Sequence, residues 1–216
     1  MKKFLIAASL ISVVAVSCNN SETKKETTAP MADTTTDKPT TAAVPLDSAT
    51  MVKNWMAYST PGDMHKMMES WDGTWDAEIT MWHAPGTPPE ITKGKTVNKM
   101  VMGGRYQISN HTASMMGMPF EGMATVAYDN AKKKFLSTWI DNMGTGFMNM
   151  EGTWDAASKT MTLAGKGVDP SAGTDKMMDV KEVFKIIDDK NQLMEMYGPG
   201  PDGNEFKMME IKYTRK

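Results

Sequence analysis

Twenty-four of the 216 residues are methionine, three are histidine and one is cysteine. These soft or nucleophilic groups are where chemistry would start. Met64, His65, Met67 and Met68 fall within about one helical turn, and His111 is followed closely by Met115, Met116 and Met118. Thioether and imidazole groups suit Cu(I), so Met64, His65, Met68 and His111 are candidate ligands of a copper-binding protein. The pairs Met177-Met178 and Met208-Met209 would face opposite sides of a strand and so would not chelate together. His65, His83 and His111 show no H-x-x-x-H zinc spacing. No G-x-S-x-G elbow is present, and a lone cysteine makes neither an internal disulfide nor a zinc ribbon. No catalytic residue is assigned, and no cofactor is expected.

A different chemistry appears when residues are sorted by strand alternation. Met81, Met100, Met123, Met161 and Met209 fall on faces that would point inward. Flexible, polarisable thioethers line surfaces that accept varied apolar partners. Arg105, Trp139, Asp141, Glu195 and Tyr197 could add the few polar or aromatic groups that orient a ligand in an apolar cavity. Arg105, Asp141 and Glu195 are also the only cluster that an enzyme site at a barrel mouth could use. The competing expectation is a polar network that satisfies only itself.

The elements that must position these residues begin near Asp47. Asp47 or Ser48 can cap a helix carrying Met51, Val52, Trp55 and Met56 at a 3–4 spacing. Pro61-Gly62 interrupts it, and Asp63 opens a second short helical segment. From Gly73 the period changes to two: Trp75, Ala77, Ile79 and Met81 alternate with polar residues. Further strands read near 91–101, 105–115, 120–128, 134–141, 146–154, 160–166, 177–188, 192–197 and 205–215. Turn residues separate them, among them Gly103-Gly104, Gly117, Asp129-Asn130 and Gly198 through Gly203. About ten strands with hairpin-length links predict an all-β domain: an antiparallel up-and-down barrel over 47–216, behind a short helical segment. Closure removes exposed sheet edges. A two-sheet sandwich is the alternative.

The N-terminus reads as an address. Lys2 and Lys3 precede a thirteen-residue apolar stretch, Phe4 to Val16, too short to span a bilayer as a helix. Ala15-Val16-Ser17-Cys18 resembles a bacterial lipobox. The resemblance implies that residues 1–17 are a signal peptide and that Cys18 is acylated. The protein would then be held to the cell envelope, at the outer membrane facing the periplasm or the surface, by stable acyl anchoring. Residues 18–46 are rich in Thr, Lys and Pro and lack aromatics, the composition of a disordered tether. Removal of Lys2 and Lys3 takes the formal net charge from -2 to -4. Such a chain lacks the bulk positive charge of a nucleic-acid binder.

Gly73-Thr74-Trp75, opening the first strand after a helix, resembles the G-x-W signature of calycins, the lipocalin-like barrels. That resemblance implies that Trp75 closes the barrel bottom with Arg215 packed over it. The segments Gly103-Gly104-Arg105-Tyr106, Met118-Pro119-Phe120-Glu121-Gly122, Ser137-Thr138-Trp139-Ile140-Asp141-Asn142-Met143-Gly144-Thr145-Gly146 and Glu210-Ile211-Lys212-Tyr213-Thr214-Arg215 resemble the bacterial family called domain of unknown function fifteen-seventy-nine. The likeness covers roughly residues 63–216. It implies a small all-β fold and an exported or lipidated location, and it brings no catalytic residues. The expectation is a lipid-anchored, methionine-rich, non-enzymatic binder of a small hydrophobic ligand.

Overall fold

A computed structural model describes residues 46–169, 172–173 and 175–216. The proposed signal peptide, Cys18 and nearly all of the tether lie outside the described residues. Two helices, α1 (Ser48–Ser59) and α2 (Asp63–Glu69), precede ten strands. These are β1 (Gly73–Met81), β2 (Glu90–Val101), β3 (Tyr106–Met115), β4 (Met118–Asp129), β5 (Lys134–Asp141), β6 (Met148–Asp155), β7 (Thr160–Val168), β8 (Met177–Ile186), β9 (Asn191–Pro199) and β10 (Glu205–Arg215). Each strand pairs antiparallel with its sequence neighbours, and β1 pairs with β10 to close the barrel. Closure leaves no unpaired edge. It excludes the sandwich.

The turns explain the register. Met116 and Gly117 both take positive φ, 49° and 76°, between the paired Met115 and Met118. This is a two-residue mirror-type hairpin turn, whose twist matches that of its strands. It lets β4 start at Met118, two residues before the alternation pattern begins.

The up-and-down path puts the barrel's two ends under different sequence. At one end lie the start of β1 and the end of β10, together with α2. Here Met68, Trp71, Phe135, Met150, Met161, Leu163 and Val180 form one buried cluster. Met68 and Phe135 have no exposed surface. Trp71 packs on Phe184, ring centroids 5.3 Å apart, and on Trp154 at 6.3 Å. The chain leaving α2 needs acceptors satisfied, because the last carbonyls of a helix have no partners within it. Barrel side chains supply them. Gln107 Nε2 donates to the Met68 carbonyl at 2.7 Å, Asn98 Nδ2 to Trp71 at 3.2 Å, and Trp75 Nε1 also to Trp71 at 3.0 Å. Arg215 donates to the Asp72 carbonyl at 2.5 Å and to the Ser70 carbonyl at 2.6 Å. Its guanidinium lies 4.2 Å from the Trp75 ring centroid, and the two residues are cross-strand partners. The plug is therefore tied to the barrel by polar bonds as well as by packing.

Helix α1 is held differently. Asp47 caps it, accepting from the Thr50 amide at 3.0 Å. It buries no residue, and Met51, Val52, Trp55 and Met56 are all exposed. Asn130 donates to the Tyr58 and Thr60 carbonyls, each at 2.9 Å, behind it.

Candidate functional site in the barrel lumen

Cross-strand pairing fixes which side chains face inward, because direct partners in a ladder lie on the same face. Trp75, Ala77, Ile79 and Met81 on β1 are inward, and they pair with Arg215, Tyr213, Ile211 and Met209 on β10. Following partners around the barrel places Thr96, His111, Gly122 and Asp141 inward as one connected row. On β8 the inward set is Met178, Val180, Glu182, Phe184 and Ile186. On β9 it is Gln192, Met194, Met196 and Gly198.

A chain of polar groups crosses this interior. His111 Nδ1 lies 2.9 Å from Thr96 Oγ1, and Thr96 in turn exchanges a hydrogen bond with the Tyr213 hydroxyl. Beyond Tyr213 is Glu182, close enough for its charge to act on the phenol. Burial holds His111 down to about 4, which leaves it neutral at physiological pH. Burial pushes the Glu182 carboxyl up to about 7, and burial followed by the Glu182 charge raises the Tyr213 phenol. Among the described residues Glu182 has no hydrogen-bond or ion-pair partner. Its ladder neighbours are Leu163 and Met196. Yet Glu182 keeps solvent-accessible surface, as do His111, Trp139, Met148, Met178 and Met196. These inward side chains are only partly buried, and Met148, Met178 and Met196 also pack against the plug cluster.

Trp139 on β5 stands among these inward side chains. Its indole lies over Gly122, where a Cβ would collide with the ring and displace it. His111 meets the ring edge-on at 5.1 Å and Phe120 stacks at 6.2 Å. Trp139 Nε1 donates to Asp141 at 2.6 Å, and the other Asp141 oxygen accepts from the amides of Met143 and Gly144 at 2.9 and 3.1 Å. Asp141 thus fixes the indole and the following turn, and its bonds are spent locally.

The remaining candidates are scattered. Met81, Met100, Met161 and Met209 face the interior, with Met161 in the packed end and Met209 beside Met81. Met123 does not face inward: its inward neighbours are Gly122 and Ala124, and it is 37% exposed. Glu195 and Tyr197 also face outward, because β9 turns its even residues in. Both join a surface network. Tyr197 donates to Glu195 at 3.0 Å, while Lys207 donates to Glu195 at 2.9 Å and also pairs with Glu210. The hydrogen bond from Lys207 keeps the Glu195 carboxyl low. Arg105 sits in the β2–β3 turn at the plugged end, donating to the Met102 carbonyl at 3.1 Å. Arg105, Asp141 and Glu195 therefore occupy one end, the other end and the outer wall, and form no joint acid–base site.

The soft-metal candidates do not converge either. Met68 is fully buried in the plug. His65 Nδ1 accepts from the Gly62 amide at 3.0 Å, capping α2. Burial lowers its pKa, opposed by a backbone hydrogen bond with Tyr128. Met64 packs on the plug cluster, and His111 lies in the lumen.

Sequence reasoning missed Thr96, Glu182 and Tyr213. Glu182 was readable: on β8, alternation puts one carboxylate among Met178, Val180, Phe184 and Ile186. Tyr213 was placed on the Trp75–Arg215 face but given no role there. A shallow cleft of about 180 Å³ also lies at the outer rim, between Trp82, Pro85, Phe206 and Lys207. Lys207 is already paired there.

Fold and site together define a closed ten-stranded up-and-down barrel, plugged at one end, with partly buried polar and methionine side chains facing inward toward the other. The chain belongs to the protein family of unknown function DUF1579, whose model matches residues 60–215. Among solved structures it is similar to Rv2717c from M. tuberculosis, with a TM-score of 0.53 at 12% identity, covering 73% of this chain and 99% of that one. It is also similar to a redesigned β-barrel, with a TM-score of 0.38 at 13% identity, covering 72% and 99%. At such identity the first likeness shows the fold alone. A comparison with curated proteins gives no match.

Proposed function

We propose that this protein is a non-enzymatic, calycin-like envelope lipoprotein that holds a small hydrophobic ligand in its barrel lumen. The observation that carries the reading is a closed barrel whose inward side chains Glu182, His111, Trp139, Met148, Met178 and Met196 keep accessible surface. Mostly apolar surroundings with a few convergent polar groups are the usual form of small-molecule sites. The open rim supports entry there. Met116, Met118, Met143, Phe147, Val168 and Met177 are exposed around it, an apolar collar that a greasy ligand would cross at low cost.

Gentle purification followed by native mass spectrometry, with uptake of an environment-sensitive apolar dye, tests this reading. The expected result is saturable dye uptake that shifts Trp139 emission. Gly122→Val, which drives a side chain into the Trp139 ring, should weaken uptake at least tenfold while the barrel stays folded by circular dichroism. No uptake by the intact chain, or equal uptake by the variant, overturns it. The envelope address rests on Cys18 and the apolar stretch before it. Labelling with a fatty-acid analogue should mark the wild type and not Cys18→Ala; labelling of both would remove the anchor at this residue.

A further inference from the structure

The lumen contains acid without base. Going around the barrel, the lysines of β2, β5, β7, β8 and β10 fall on outward positions. Lys134, Lys166, Lys181 and Lys207 are tied to surface carboxylates. Arg215 is the inward cation among the described residues, and it is committed to Trp75 and to carbonyls of the plug. The groups facing the interior that can carry charge are otherwise Glu182 on β8, Asp141 on β5, Glu90 at the rim end of β2, where it pairs with Met81, and Asp72 in the plug, whose carboxylate accepts from Gln107 and from the Met100 amide. His111 on β3 is neutral, and Tyr213 on β10 holds its proton.

We propose, building on the lumen-binding reading above, that the ligand is a small amphiphile with a basic nitrogen, its ammonium group against the Glu182 carboxylate and its apolar body along the Trp139 and methionine wall. An ionised carboxylate only accepts hydrogen bonds, and Glu182 has no donor among the described residues. A group that donates to it while carrying opposite charge offsets its desolvation best. The reverse assignment fails on sign: an acidic amphiphile would meet Glu182 and Asp141 with no available cation. Tyr213 and Thr96, already linked to each other, border the head-group position and can relay the remaining hydrogen bonds of a nitrogen.

Because the carboxyl titrates at about 7, the charged pair forms as pH rises through that value. The carboxylate population falls about tenfold per unit below it, so amine affinity should be about thirtyfold weaker at about pH 5.5 than at about pH 8. Asp141, Glu90, Asp72, His111 and Tyr213 are the other titratable groups facing the interior, and His111 charges only near 4.

The test is calorimetric titration of the full chain with three probes that share one ring system: naphthylmethylamine, naphthylmethanol and naphthoic acid. Benzyl analogues repeat the series at smaller size. At about pH 8 the amine should bind at least about tenfold tighter than the alcohol, as a charge-assisted hydrogen bond implies. Glu182→Gln, which keeps shape and fold, should abolish that margin and leave the alcohol within about twofold. Equal binding of amine and alcohol, preference for the acid, or an amine margin that survives E182Q overturns the amine assignment but leaves lumen binding intact. If none of the probes binds and Trp139 emission is unmoved, both the assignment and the lumen reading fall.

Discussion

The two ends of this barrel are built from the same ten strands but use their inward positions in opposite ways. At the plugged end the inward residues are large and meet an inserted helix turn, so Met68, Trp71, Phe135 and Leu163 reach interior packing density. At the open end the inward set includes Gly122, Gly167 and Gly198, with methionines between them, and the inward polar groups come from several strands. The difference teaches where stability and function separate. One half stabilises the fold through burial. The other leaves the Glu182 carboxyl facing inward without a partner among the described residues, which is costly to stability.

The comparison makes an ordered set of predictions. Phe135→Ala, at the centre of the plug, should destabilise by about 3–5 kcal/mol in urea titration. The inward but half-open Met178→Ala should cost less than half as much. If the two costs were equal, the ends would not differ in packing.

Arg215→Ala removes the donor to two plug carbonyls and the cover of Trp75. It should cost about 2–3 kcal/mol, read as a lowered thermal midpoint. Protection of the Trp75 indole against hydrogen exchange should fall with it.

The third prediction concerns pH. Glu182 has its folded pKa raised above the unfolded value. Its contribution is therefore fully present below about pH 4.5 and is lost as pH rises through about 7. Because Glu182 keeps part of its surface accessible, the loss should be about 1–2 kcal/mol and not the full value for a fully buried site. E182Q should remove this slope and be the more stable protein at about pH 8. His111 acts in the other direction. Its folded pKa is lowered, so the stability it lends is present above about pH 6.5 and is lost as pH falls toward about 4. His111→Gln should flatten that acid limb in the same denaturation series.

The smallest effect belongs to the open rim. Met116 holds a positive φ of 49° where asparagine or glycine is favoured. Met116→Asn should stabilise by about 0.5–1 kcal/mol, read in the same urea titration.

Much of this was legible along the chain. Alternation in β1 and β10 placed Trp75, Met81, Met209 and Arg215 on one face, and the structure pairs those strands along that face. The same reasoning misplaced Met123, Glu195 and Tyr197, for a physical reason: a period of two says which residues share a face, not which face is inside. On β9 both faces carry apolar and polar residues. Leu193 and Tyr197 make the odd face look like core, and only pairing with β8 and β10 assigns it to the surface. Arg105 failed differently. A turn residue has no alternation to follow, and sequence does not say at which end of a barrel its turn lies until the strands are counted around.

The sequence by itself determined the class of this protein: strand period, turn residues and the family segments point to an all-β antiparallel meander, because amphipathic strands bury their apolar faces only against other strands; closure of β1 onto β10, in place of two stacked sheets, is decided by the pairing. Only the tertiary structure decided what that barrel encloses. Whether the interior is filled depends on how side chains from strands far apart in sequence meet, and on the α2 turn entering one end and not the other. Glu182, Tyr213, Thr96 and His111 come from four strands, and no local pattern links them. Their common environment exists because the barrel closes β1 onto β10, which carries these groups out of bulk water into one shared space.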